Sequence, residues 1–171
     1  MHPNYLGAIE RGAIHNPGLE TVDRIAAGLD VSVAVLAESY ANASDEPLLP
    51  ADAIGHRPER TTEAYDAKAL GEAIAVVRRA AGLTQEQLAE IVRLHRNHLG
   101  SIELGAQPTR GIATIARVAH GLTTTLGADE SLLPLFAQAF TGEVTVAQIR
   151  ERIASKSSGP PGTRILPQGE R

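Results

Sequence analysis

The chain of 171 residues contains no cysteine and no tryptophan. Without thiols there can be no disulfide staple, thiolate zinc site or cysteine nucleophile, and such a composition suits a cytoplasm. Aromatic residues are scarce: Tyr5, Tyr40, Tyr65, Phe136 and Phe140 are all of them. The core must therefore be built from Ala, Leu, Ile and Val, and single-strand binding on aromatic stacking platforms is disfavoured. No apolar run approaches the ~18 residues of a membrane span. Met1-His2-Pro3-Asn4 lacks the basic-then-apolar opening of a secretory signal. No Ser-His-Asp set, carboxylate pair, glycine-rich phosphate loop or metal cluster is evident. An enzyme is disfavoured on that ground, and no cofactor is expected.

What is present is ordinary for a globular protein, with 43% hydrophobic and 21% charged residues. At ~150 residues per domain, the length implies one or two domains. Net charge is −4, but it is unevenly spread. Residues 1–39 carry −3, residues 40–66 carry −4, residues 67–122 carry +3, and residues 123–171 are neutral. A local basic surplus, not the global sum, is what attracts phosphates.

An internal repeat dominates the sequence. Residues 2–29 align without a gap on residues 95–122 at an offset of 93, with 14 of 28 positions identical. Asn4-Tyr5-Leu6-Gly7-Ala8-Ile9-Glu10-Arg11-Gly12-Ala13 lies beneath Asn97-His98-Leu99-Gly100-Ser101-Ile102-Glu103-Leu104-Gly105-Ala106. Everything the second copy has before Leu94 has no counterpart in the first, which lacks the two opening helices of the module. Two readings follow: a shortened copy, or a start upstream of Met1. The second is the expectation, because half of a small module has little core.

The second copy reads as all-helical. Leu70, Ile74, Val77 and Ala81 recur at helical spacing and predict a helix from about Ala67 to Ala81, stopped by Gly82. Thr84-Gln85-Glu86-Gln87 has the form of a capping box opening a short helix to about Val92. Arg93-Leu94-His95 makes a turn, and a third helix runs to Glu103, burying Leu99 and Ile102. A fourth, starting near Ile112, is expected to end at Gly121. A fifth spans about 129–140, with Pro134 awkwardly placed. His2 and His95 recur, but one His per copy without acidic neighbours reads as a helix cap or surface residue rather than a metal ligand.

Two short helices joined by a tight turn, with small Ala89 at the crossing, form a helix-turn-helix pattern. Gly82-Leu83-Thr84-Gln85-Glu86-Gln87-Leu88-Ala89-Glu90, followed by Leu99-Gly100-Ser101-Ile102-Glu103-Leu104-Gly105, resembles the Cro/C1-type (XRE) helix-turn-helix family of bacterial and phage repressors. The resemblance covers roughly 67–126. Ile9-Glu10-Arg11-Gly12 and Asn16-Pro17-Gly18-Leu19 resemble the family's second half over 1–36. Two features depart from the pattern. Arg93 stands where the family usually has glycine, at a cost of about 1 kcal/mol if that residue is left-handed. Thr109-Arg110 replaces the usual Asn-Pro.

The resemblance implies an all-α, lambda repressor-like helix-turn-helix bundle in tandem. The expected parts are a partial module at 1–40, a linker at 41–66, a complete domain at 67–140, a C-terminal helix at 141–154 and a disordered tail at 155–171. It implies double-stranded DNA as the partner, read by a helix at about 96–103 in the major groove. Arg96 and Asn97 would face base edges, with Ser101 one turn on, because Arg suits guanine and Asn suits adenine. Gln85 and His98 would reach phosphate, as would Thr109 and Arg110 ahead of the fourth helix. Arg78 would pair with Glu103. In the first copy Pro3 and Ala8 replace Arg96 and Ser101, so only Asn4 keeps a readable side chain. The plainer readings are that Gln85 only caps its helix and that Arg96 and Ser101 are solvated surface. At ~5–6 Å × √n the linker reaches about 25–30 Å, comparable to the ~34 Å between major-groove faces one turn apart. Tandem copies could thus mimic a dimer. The expected role is a transcriptional regulator in a bacterial cytoplasm, associated with the nucleoid. The alternative is a protein-interaction module on a repressor-like fold, such as an antitoxin or phage-type accessory protein. Self-association or a protein partner, for example through Val146 and Ile149 of the C-terminal helix, stays open.

Overall fold

The computed structural model describes residues 3–41, 65–106 and 111–157. Among these the chain forms nine helices and no strand. They are α1 (Pro3–Glu10), α2 (Leu19–Gly28), α3 (Val33–Ala41), α4 (Ala67–Ala80), α5 (Gln85–Ile91), α6 (Arg96–Glu103), α7 (Ile112–Leu126), α8 (Leu133–Thr141) and α9 (Val146–Ser157). The fold is all-α, and no described helix is long and apolar enough to cross a membrane.

Local chemistry accounts for most boundaries. Asp66 caps α4, its Oδ1 accepting from Ala69 N at 2.8 Å. Leu70, Ile74 and Val77 bury one face of that helix. The capping box of α5 is complete. Thr84 Oγ1 accepts from Gln87 N at 3.1 Å, and Gln87 Oε1 accepts from Thr84 N at 2.8 Å. Past α5, Arg93 adopts a left-handed φ of 51°. Its N–H donates to Glu90 O and that of Leu94 donates to Ala89 O, at 3.1 and 2.8 Å. These two bonds close the helix end as a Schellman motif despite the missing glycine.

Several expectations need correction. Gly121 does not end α7, which continues to Leu126 and closes on left-handed Gly127. Gly121 instead lies under α5, where a Cβ would come within 2.5 Å of Val92 Cγ1. Pro134 is not awkward: it falls in the first turn of α8, where its absent N–H has no intrahelical acceptor to lose. The C-terminal helix runs to Ser157, opened by a second capping box between Thr145 and Gln148. Its apolar face is also occupied, because Ile149 is fully buried and α9 packs on α4.

The first segment lies directly against the second. α3 lies along α8 in the most extensive helix packing of the fold. Val33 and Ala37 meet a surface that includes Leu133, Phe136 and Phe140 in one continuous core. Tyr65, expected in the linker, belongs to this core. Its ring stacks on Phe140 at 5.1 Å, and its hydroxyl donates to Asp23 Oδ2 at 3.1 Å. Ser32 Oγ donates to Glu143 Oε2 at 2.8 Å. The rest of the expected linker, 42–64, and the tail beyond 157 lie outside the described residues.

Positions related by the offset of 93 have matching geometry. Gly12 N donates to Ile9 O and Ala13 N to Ala8 O, at 2.9 and 2.8 Å. Gly105 N and Ala106 N donate to Ile102 O and Ser101 O, both at 3.0 Å. In the same order, though not at that offset, α2 packs on α3 and α7 packs on α8. Gly18 and Gly111, themselves 93 apart, face each other in an isolated antiparallel bridge.

Candidate nucleic-acid interface

The turn between α5 and α6 is held from behind by α4. At Gly71 a Cβ would sit 2.4 Å from the carbonyl oxygens of both Ile102 and Glu103, so only glycine lets the two helices approach this closely. Next to it, Arg78 and Glu103 form a buried fork-to-fork pair. Arg78 Nε donates to Glu103 Oε1 at 2.7 Å, and Nη2 donates to Oε2 at 3.0 Å. Arg78 Nη1 also donates to Leu83 O at 2.7 Å, tying in the loop ahead of α5.

Gln85 joins this network. Its Nε2 donates to Glu103 Oε2 at 2.7 Å. One amide hydrogen of the side chain expected at a phosphate is thus used to brace α5 against α6, and one remains. The network fixes the position of α6 relative to the other two helices.

α6 itself begins at His95, whose Nδ1 accepts from Asn97 N at 3.2 Å as the helix cap. Its inner face carries Leu99, Ile102 and Glu103, all buried. Arg96 and Asn97 in the first turn are exposed, while His98 and Ser101 are half-buried at the flanks. The Arg96 side chain has no hydrogen-bonding or ion-pair partner among the described residues. Among the described residues α6 packs mainly on α4 and α5, and Arg96 and Asn97 stay exposed on its outer edge. Thr109 and Arg110 lie outside the described residues.

The first segment differs in a telling way. Leu6 and Ile9 of α1 are half-buried, whereas their counterparts Leu99 and Ile102 are buried. Nothing equivalent to α4 and α5 is packed on α1 among the described residues. Asn4 is exposed in its first turn.

Two further cations, Arg93, read in the sequence only as a turn residue, and Arg117, are exposed and line an open groove of about 780 Å³ with Tyr40, Ile91 and His120. The charge count over 67–122 contained them, but their convergence depends on α7 lying beside the turn.

Asn16, in the sequence only part of the Asn16-Pro17-Gly18-Leu19 motif, has a structural role across the repeat. Gly111 precedes α7 and has no side chain to cap it. Asn16 Oδ1 does so from the first segment, accepting from Ala113 N at 2.9 Å. Its neighbour Pro17 O accepts from Ile112 N at 2.8 Å.

No curated protein and no solved structure matches the chain. Residues 69–136 match a family model described as a helix-turn-helix domain. The matched span starts in α4 and ends within α8, so it contains the α5–turn–α6 unit and the buried network that positions it. In sequence and in architecture, this part of the chain is similar to a helix-turn-helix domain, the kind of fold that supports DNA binding.

Proposed function

We propose that the protein is a sequence-specific, double-stranded-DNA-binding transcriptional regulator of the Cro/C1 type, reading the major groove with α6. The observation that carries this reading is the division of α6 into two faces. Leu99, Ile102 and Glu103 are locked inward, and Arg96 and Asn97 are exposed at the N-terminal end, the end that meets base edges in a docked helix-turn-helix. Arg96 suits guanine O6 and N7, and Asn97 suits adenine N6 and N7. Ser101 lies one turn further along. His98, Thr109, Arg110 and the second amide hydrogen of Gln85 supply backbone contacts, and Asn4 contributes from the first module. The net +3 of residues 67–122 provides the local field that draws a duplex in. The same reading places the protein on chromosomal DNA in a bacterial cytoplasm.

Selection from random duplexes followed by fluorescence anisotropy across a salt series tests it. Arg96→Ala should abolish preference for the selected site over random DNA. Arg110→Ala should weaken all duplexes alike and lower the salt slope by about 1. Unchanged DNA binding in both variants would refute the reading and leave the interaction-module alternative.

A further inference from the structure

We infer that a single chain is an internal pseudo-dimer whose two modules occupy two half-sites on one face of the same duplex, with α6 over a strong half-site and α1 over a weak one. This rests on the DNA-binding reading above and extends it to site architecture and stoichiometry.

Contact between equivalent positions is the mark of a two-fold interface, in which the same patch on each partner meets itself. Gly18 pairs with Gly111, and the two differ by the repeat offset of 93. An antiparallel bridge between equivalent residues puts a local two-fold axis between them. A second contact joins elements of the same order but not of the same offset: α3 follows α2 as α8 follows α7, 100 rather than 93 residues apart, and α3 packs on α8. Asn16 capping α7 and Pro17 O accepting from Ile112 N hold the joint at the axis. The axis passes between Gly18 and Gly111, each eight residues past the end of α1 or α6. It therefore relates α1 to α6.

Two-fold-related reading helices occupy half-sites one helical turn apart, about 10–10.5 bp centre to centre. The two halves are not equal here. Pro3 and Ala8 stand where Arg96 and Ser101 stand in the other module, and Asn4 matches Asn97. The site should therefore be lopsided, with most sequence preference under α6.

The test uses the full chain and its selected duplex. Sedimentation should give one chain per duplex. The selected sequences should show a strong block and a weak block about one turn apart. Inserting 5 bp between the blocks moves the weak half to the opposite face of the DNA, and affinity should fall at least ten-fold. Unchanged affinity on insertion, with Arg96→Ala still abolishing preference, would overturn the pseudo-dimer and leave the DNA-binding reading standing. Two chains on a symmetric site would overturn it as well. Failure to select any sequence would refute both.

Discussion

Arg78 and Glu103 meet through two hydrogen bonds of 2.7 and 3.0 Å, with both side chains buried. The pair connects the first helix of the domain to the last residue of α6. Removing one member leaves a buried charge without its partner, which costs about 3–5 kcal/mol. Glu103→Gln should therefore lower stability by that order in urea unfolding. The double replacement Arg78→Met with Glu103→Leu should recover much of the loss, since a well-packed apolar pair is often no worse than a buried ion pair. Equal destabilisation by the single and double variants would contradict this.

Arg93 holds a left-handed φ of 51° at the centre of the helix-turn-helix. A side chain there costs about 1–2 kcal/mol in backbone strain, while glycine adds about 0.5–1 kcal/mol of unfolded-state freedom. Arg93→Gly should raise the Tm by a few degrees, and Arg93→Val, being β-branched, should lower it. Thermal unfolding by circular dichroism orders the three. A valine variant as stable as the glycine one would show that the turn is not left-handed.

Gly28 and Gly121 occupy the same repeat position but differ in surroundings. A Cβ at Gly28 meets nothing within 4 Å, whereas at Gly121 it would come within 2.5 Å of Val92 Cγ1. Gly28→Ala should stabilise by about 0.4–1 kcal/mol through the unfolded chain. Gly121→Ala should destabilise by about 1–3 kcal/mol through overpacking. Chemical denaturation of the two variants side by side gives the signs, and a shared sign would contradict the packing of α5 over α7.

Asn16 caps a helix that belongs to the other copy of the repeat. Losing such a cap typically costs about 1 kcal/mol, so Asn16→Ala should lower stability by that amount. Amide exchange should quicken at Ala113 in the first turn of α7, 97 residues away in sequence. Faster exchange confined to the neighbourhood of Asn16 would mean the two segments do not meet there.

Features set by neighbours in sequence could be read in advance. The capping box at Thr84 needs only four consecutive residues. The Leu70–Ile74–Val77 face needs only helical periodicity. Arg93 stood out because its turn demands a conformation that side chains resist. Gly121 misled because a glycine that ends a helix and one that admits a neighbour look alike until the neighbour is known. Tyr65 sits beside a polar, proline-containing stretch, and nothing local announces that it stacks on Phe140. The same holds for Gly18 and Gly111: their identity was visible as repeat, but their contact is tertiary. At the candidate site, the exposed first turn of α6 followed from the burial pattern of Leu99 and Ile102. The inward turn of Gln85 did not, because it depends on where Glu103 lies across the helix pair.

The most direct test of the account is to watch the protein's own amides while a selected duplex is titrated in. In NMR spectra of the labelled chain, the resonances of Arg96, Asn97 and Ser101 should shift most, with those of Leu99 and Ile102 following weakly from the inner face. Shifts that leave the first turn of α6 unmoved and gather instead on α9 or the α3–α8 surface would contradict it.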